Sequence, residues 1–318
     1  MITLMMSTLI TMSSNNWISM WIGLEINMMS FIPLILNKIN KSSSEAAMIY
    51  FLTQSISSVL LIMMVLISMC KYLIPEMLIN NLILISLLIK LGSAPFHMWM
   101  PKIMSNMEWN KCCILMTWQK IAPLFMISNM YNYTIVYIAI VTSVIIGGVG
   151  GLNQTSLRKM MAYSSINHIG WMLSINKSMN LWMLYLLIYS FMVSSMCFVF
   201  FNYKINFINQ LSNISMSMTE KFSMFIMMLS MGGLPPFIGF LPKWITIQSL
   251  INSNDLFIIL VMIMFSLVTL MYYLRVMTNM YLSFGTSIKW SFNYFSYTTI
   301  IISVINLSLP MIMIMEII

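Results

Sequence analysis

Residues 92–102 read Gly92-Ser-Ala-Pro95-Phe96-His97-Met98-Trp99-Met100-Pro101-Lys102. Residues 233–243 read Gly233-Leu-Pro235-Pro236-Phe237-Ile238-Gly239-Phe240-Leu241-Pro242-Lys243. Glycine, proline, phenylalanine, proline and lysine recur in register. Both stretches interrupt apolar segments. A proline lacks an N–H and frees the carbonyl four residues before it. Inside hydrocarbon such freed groups are tolerated only where protein or water satisfies them. Paired Gly/Pro-interrupted spans in corresponding places of two halves point to a carrier site built on broken helices. Chance recurrence is the alternative, since Gly and Pro are common in membrane helices.

The composition sets the same frame. The chain has 318 residues, of which 60% are hydrophobic and only 7% charged. An ordinary soluble domain carries about 25% charged residues. That excludes a cytosolic enzyme, a secreted disulfide scaffold and a disordered chain. Apolar runs of the length found here suit a bilayer core about 30 Å thick. Short polar joints divide the chain into about eleven spans, near 1–14, 17–36, 45–70, 79–100, 111–130, 134–151, 159–175, 181–203, 221–250, 255–283 and 297–316. The ninth is long and interrupted. The two motifs fall in the fourth and ninth spans, hence in opposite orientations. The expected fold is an all-α polytopic membrane protein with inverted repeats, broken around Pro95 and Pro235/Pro236. With no linker or soluble stretch, residues 1–318 read as one membrane domain.

The formal net charge is +8, without a basic run that would suggest nucleic acid. Lys38, Lys41, Lys102, Lys111, Arg158, Lys159, Lys204, Lys221 and Lys289 fall at joints on one side, and Lys71 and Lys177 on the other. The positive-inside rule puts the richer side in the compartment of synthesis. The forty methionines point to an A/T-rich gene read in a code where AUA means Met, as in animal mitochondria. Met1 leads straight into an apolar helix, without a signal or transit peptide. The expected location is therefore the mitochondrial inner membrane, multi-pass, with the N-terminus on the matrix side and the C-terminus on the intermembrane-space side.

Four ionisable residues lie inside spans: Glu25, Lys90, Lys120 and Lys243. Each costs about 2.5–3.5 kcal/mol on insertion scales, so a functional reading is the default. A structural ion pair or a lysine snorkelling from a span end is the bland one. Every one of these lysines has a helix breaker nearby: Gly92 and Pro95 for Lys90, Pro123 for Lys120, and Pro235, Pro236 and Pro242 for Lys243. Burial favours a neutral amine and a nearby carboxylate favours the ammonium. A lysine held between those effects can take and release a proton, and Glu25 is the natural carboxylate partner. His97 falls seven residues after Lys90, about two turns along the same face if the helix continues. His168 sits in the polar patch Ser164-Ser165-Ile166-Asn167-His168. Both histidines are candidate relays, or simply hydrogen-bonded packing residues.

Other patterns carry no chemistry. Cys70, Cys112, Cys113 and Cys197 have no metal-ligand or C-x-x-C spacing and read as structural. Gly147-Gly148-Val149-Gly150-Gly151 lacks phosphate-loop spacing and reads as close helix packing. No cofactor-binding or metal site is expected in this chain.

Several stretches carry a family resemblance. They include Trp21-Ile-Gly-Leu-Glu25, Tyr50-Phe-Leu-Thr-Gln54, Lys90-Leu-Gly-Ser-Ala-Pro-Phe-His97 and Thr117-Trp-Gln-Lys-Ile-Ala-Pro123. Gly150-Gly-Leu-Asn-Gln-Thr-Ser-Leu-Arg-Lys159, Tyr163-Ser-Ser-Ile-Asn-His168 and Gly232-Gly-Leu-Pro-Pro-Phe-Ile-Gly-Phe-Leu-Pro-Lys-Trp244 extend it. From about residue 10 to 280 the sequence closely resembles the chain 2 family of NADH–ubiquinone oxidoreductase, mitochondrially encoded antiporter-like subunits of respiratory complex I. The resemblance implies a proton-translocating membrane-arm subunit whose partners are other membrane-arm subunits, neighbouring antiporter-like ones among them, and membrane lipids. NADH, FMN, iron–sulfur clusters and ubiquinone are then expected in other subunits. It makes Glu25 and Lys90 a coupled pair, Lys120 the central lysine and Lys243 the lysine of the second broken helix, with His97 and His168 on the polar axis. A stand-alone cation/proton antiporter of the same fold and a structural spacer subunit are the rival readings.

Overall fold

The computed structural model describes residues 1–36, 40–70, 75–130, 133–213, 217–282 and 297–308. Lys38, Lys71 and Lys289, and residues 309–316 of the last expected span, lie outside the described residues. Among the described residues the architecture is helical. The first helices are α1 (Ile2–Ser13), α2 (Trp17–Ile35), α3 (Lys41–Met69) and α4 (Glu76–Leu91). Next come α5 (Trp99–Asn106), α6 (Trp109–Met116), α7 (Ile121–Ser128), α8 (Tyr133–Gly151), α9 (Leu157–Ser174) and α10 (Met179–Asn202). Short α11 (Gln210–Asn213) precedes α12 (Met218–Gly232), α13 (Phe240–Asn252), α14 (Leu256–Leu282) and α15 (Tyr297–Asn306). A 3₁₀ turn, Trp118–Lys120, joins α6 to α7.

Five helical stretches are individually long and apolar enough to cross a bilayer: Trp17–Ile35, Lys41–Met69, Thr134–Gly151, Met179–Asn202 and Leu256–Tyr281. Their outer faces carry large exposed apolar side chains, including Ile56, Val59, Leu187, Leu260 and Leu267. In water this surface would be unstable, and in lipid it is the expected one. The interior is where the aromatic groups collect. Trp171, Trp182, Tyr185, Tyr189, Tyr272 and Tyr273 are fully buried.

Local sequence accounts for the element ends. The Ser217 hydroxyl accepts from the Glu220 N–H while the Glu220 carboxylate accepts from the Ser217 N–H, a capping box that starts α12. Gly92 and Gly233 end α4 and α12 with φ of 70° and 74°, a left-handed conformation that disfavours a Cβ. Both ends form Schellman motifs. Gly92 N–H donates to Ile89 O and Ser93 N–H to Leu88 O; Gly233 N–H donates to Ser230 O and Leu234 N–H to Leu229 O.

The glycine run of α8 lies between α9 and α14. A Cβ on Gly147 would meet the Asn167 backbone at 2.6 Å, and one on Gly151 would meet the Tyr272 ring at 2.7 Å. The run therefore sets helix spacing, as its composition suggests. By this contact α9, which carries His168, is held at the centre.

Two details are settled by position. The fourth apolar segment, expected to break around Pro95, has α4 stopping at Leu91 and α5 starting at Trp99. His97 falls between them, so no helical register places it two turns beyond Lys90. Lys111 does start a helix at a joint, but it is 8% exposed and not a solvated loop lysine. Its ammonium donates to Ile35 O at 3.2 Å and lies 3.7 Å from Glu108.

Candidate functional site

Each buried lysine of the site stands at a helix end. Lys90 is in the last turn of α4, Lys120 ends the 3₁₀ turn after α6, and Lys243 is in the first turn of α13. Their exposures are 6%, 2% and 4%. The common physical reason is the carbonyl end of a helix. Unsatisfied carbonyls give that end a partial negative charge and favour a cation. Lys90 occupies such an end directly. Lys120 follows α6, and Pro123 leaves the Gln119 carbonyl without its helical donor. Lys243 begins its own helix yet reaches back 2.7 Å to Gly232 O, the last residue of α12.

Between Lys90 and Lys120 lies a cavity of about 20 Å³, measured as space open to the centre of a water molecule. Room of that size holds about one water. Asn27, Tyr50, Gln54 and Gln119 line it with both lysines. Gln54 Nε2 donates to Lys90 O at 3.4 Å, and the Tyr50 hydroxyl donates to Gln119 Oε1 at 3.3 Å. Asn27 Oδ1 and Gln119 Nε2 are buried without a hydrogen-bond partner.

Glu25, in α2, acts electrostatically on Lys90 and on the Tyr50 hydroxyl. Among the described residues it makes no ion pair with Lys90 within 4 Å. Its Oε1 is buried and has no hydrogen-bond partner. The two charges are coupled across a gap.

On the other side of Lys120 the contacts continue. Its ammonium donates to Ser165 O at 3.3 Å and to the Tyr189 hydroxyl at 3.5 Å, and lies 4.7 Å from the Tyr189 ring centre. That ring is in turn 4.7 Å from the His168 ring, and His168 Nδ1 pairs with the Tyr185 hydroxyl at 2.8 Å. The positive charges of Lys243 and Lys120 both act on His168. Lys243 lies 5.6 Å from the Trp171 ring centre, three residues after His168 on α9. The order Glu25, Lys90, Lys120, His168, Lys243 is therefore one row through the interior.

His97 is not joined to that row by the same kind of contact. Its Nδ1 lies 3.2 Å from Pro95 O, and its ring is 6.4 Å from that of Tyr163. Tyr189 and Tyr185 belong to the row, and sequence reading missed them. They stand four apart on α10, one face of a helix, which was the available signal. Gln119, beside Lys120 in sequence, was also overlooked as a cavity residue.

The interior thus carries a row of buried lysines at helix ends, with hydroxyl, imidazole and amide groups between them. Residues 14–270 match the family described as "NADH:quinone oxidoreductase/Mrp antiporter, TM". A protein of Anopheles gambiae called NADH-ubiquinone oxidoreductase chain 2 is 47% identical over 290 residues, 89% of this chain and 85% of that protein. A chain 2 protein of Loxodonta africana is 38% identical over 96% of this chain and 93% of its own length. The chain belongs to the NADH-ubiquinone oxidoreductase chain 2 family. Its fold is similar to that of a chain in respiratory complex I from Thermus thermophilus with bound aureothin, with a TM-score of 0.82 at 20% identity, covering 96% of this chain and 76% of that one. A chain of the Mrp complex from Dietzia aligns with a TM-score of 0.80 at 17% identity, over 89% of this chain and 60% of that one.

Proposed function

We propose that this chain is an antiporter-like proton-translocating subunit in the membrane arm of respiratory complex I, in the mitochondrial inner membrane. It works there with other membrane-arm subunits and lipids, while NADH, FMN, iron–sulfur clusters and ubiquinone act in other subunits. The chain crosses the bilayer eleven times. Helices α4 and α5, α6 and α7, and α12 and α13 are halves of interrupted crossings, and α4/α5 and α12/α13 are counterparts in inverted repeats. The N-terminus faces the matrix and the C-terminus the intermembrane space, by the lysine asymmetry of the joints.

The observation that carries the reading is the cavity between Lys90 and Lys120, with Glu25 on one side and Tyr189, His168 and Lys243 on the other. Electron transfer elsewhere shifts the electrostatics along the membrane arm. Moving the Glu25 charge away from Lys90 loosens the hold of Lys90 on its proton. Water, with the free Asn27 and Gln119 amide atoms as partners, carries that proton to Lys120. From Lys120, the Tyr189 hydroxyl and His168 lead towards Lys243, whose acceptor at Gly232 O holds the ammonium until release. His97 stands at the first break as a relay between this row and the lumen of the bundle. Moving one charge against 100 mV costs about 2.3 kcal/mol. Each pKa unit of tuning supplies about 1.4 kcal/mol, so two or three units per step match the task.

The test is Lys120→Met in the intact complex. Methionine keeps the length of the side chain without its charge. Pumped protons per electron pair fall while the subunit stays assembled. Unchanged stoichiometry would sink the reading. Separation of gently solubilised membranes distinguishes the carrier alternative. Co-migration with a very large NADH-oxidising particle supports the subunit, and migration as a small particle supports a stand-alone antiporter.

A further inference from the structure

A second cavity, of about 380 Å³ on the same water-centre measure, opens among the ends of α7, α9 and α13 and the starts of α8, α10 and α14. These six helix ends lie at one end of the bundle. The cavity has the size of a ligand site and shares no lining residue with the cavity between Lys90 and Lys120.

Its lining is mixed: nine apolar residues, Ile127, Ile140, Leu173, Leu250 and Ile258 among them, stand beside ten polar ones. The polar ones include charges of both signs. Asp255 accepts hydrogen bonds from the Tyr137 and Ser253 hydroxyls. Neither donor carries charge, and a carboxylate has about four acceptor sites, so Asp255 retains capacity for a cation. Lys177, an exposed cation, stands on the same lining. Asn176 lies next to it in the chain and is 4% exposed, yet among the described residues neither its Oδ1 nor its Nδ2 has a hydrogen-bond partner. A buried carboxamide left unpaired costs about 1–3 kcal/mol. Turned into the cavity that it lines, this carboxamide offers a donor group and an acceptor.

We propose that this cavity binds one phospholipid with a primary-amine zwitterionic headgroup. One acyl chain enters among the apolar side chains, the ammonium meets Asp255, the phosphate meets Lys177, and Asn176 bonds to the glycerol or headgroup oxygens and the ammonium. The apolar part of the lining argues against a purely aqueous vestibule, and the charges of both signs argue against a plain hydrocarbon ligand. A choline headgroup has the same net charge but no N–H to donate, so Asp255 discriminates between the two. The site is independent of the proton row, so this test and the Lys120 test fail separately.

The experiment uses the intact complex in native-like membranes and two probes: phosphatidylethanolamine and phosphatidylcholine carrying the same diazirine on one acyl chain. After irradiation and digestion, labelled peptides are located. The ethanolamine lipid labels residues 127–140 and 173–181 about tenfold more than the choline lipid, the ratio expected from one charge-assisted hydrogen bond. Asp255→Asn removes that preference while leaving the acyl walls in place. Equal labelling by both lipids in the unaltered chain, or labelling confined to the outer faces, overturns the proposal. So does a protein segment of another subunit cross-linked within the cavity.

Discussion

Helix α4 stops at Gly92, and the carbonyl of Ile89 receives the Trp99 indole N–H at 3.1 Å. Helix α12 stops at Gly233 in the same Schellman geometry, and the carbonyl of Gly232 receives the Lys243 ammonium at 2.7 Å. The motif that opens both interruptions is shared, but the group that closes them is not. The glycines show why. A Cβ on Gly92 would meet the Trp99 indole at 3.0 Å, and one on Gly233 would meet Lys243 Nζ at 2.7 Å. The same niche above a left-handed glycine is filled by an indole in one half and by an ammonium in the other. With the first niche taken, Lys102, the counterpart of Lys243, is turned out and exposed. The first half supplies its charge from the other side of the break, at Lys90. One backbone device thus receives an ammonium at the second helix end and an indole at the first, where the nearby lysine, Lys90, belongs to α4 itself.

Lys243→Met breaks the comparison hardest. It removes the only charge of the second niche and leaves Gly232 O without the ammonium donor. The lost partner costs about 1–3 kcal/mol of stability. Proton pumping by the complex, read from dye quenching in proteoliposomes, falls to background, while electron transfer to an uncoupled acceptor persists. Pumping at the normal ratio would mean that the second break is structural only.

The next effect comes from the glycines. Gly233→Ala and Gly92→Ala pay the same backbone penalty, about 1–2 kcal/mol for an L residue in the left-handed region. They differ in what the methyl group displaces. At Gly233 it drives the Lys243 ammonium from Gly232 O, and at Gly92 it presses on a neutral indole. Gly233→Ala should therefore lose more pumping than Gly92→Ala and, through the lost Gly232 O bond, about 1–3 kcal/mol more stability. Equal loss of pumping would show that helix-end geometry, not the occupant of the niche, is what matters.

Much of this was legible in advance. The repeat, the breakers beside Lys90, Lys120 and Lys243, and the polar patch around His168 all stood in the sequence, because prolines and charges in apolar runs have few explanations. Position in space was less legible. The recurrence aligns Lys102 with Lys243, and only the side-chain packing of Trp99 against Gly92 separates their fates. Helical periodicity gives His97 a face only if the helix continues, and α4 ends at Leu91. Tyr185 and Tyr189 were hidden because aromatic residues are ordinary in apolar helices, and nothing local says which of them meets a lysine. The Glu25–Lys90 pairing was read as a partnership, but the sequence carried no distance. The structure places the two in electrostatic reach without direct contact.

The smallest effect sharpens the comparison from its other side. Lys102→Met changes the residue that motif register makes equivalent to Lys243. If sequence register dictated role, the two methionine variants would behave alike. If occupancy of the niche dictates it, Lys102 is a surface lysine on α5, and surface changes away from special features stay within about 0.5 kcal/mol. Among the described residues its ammonium holds no carbonyl comparable to Gly232 O, and Trp99 already fills the space above Gly92. Thermal stability and pumping ratio of Lys102→Met should match the unaltered complex. A loss of pumping near that of Lys243→Met would mean that the first half keeps a second charged position in use, and that Lys90 does not carry that half alone.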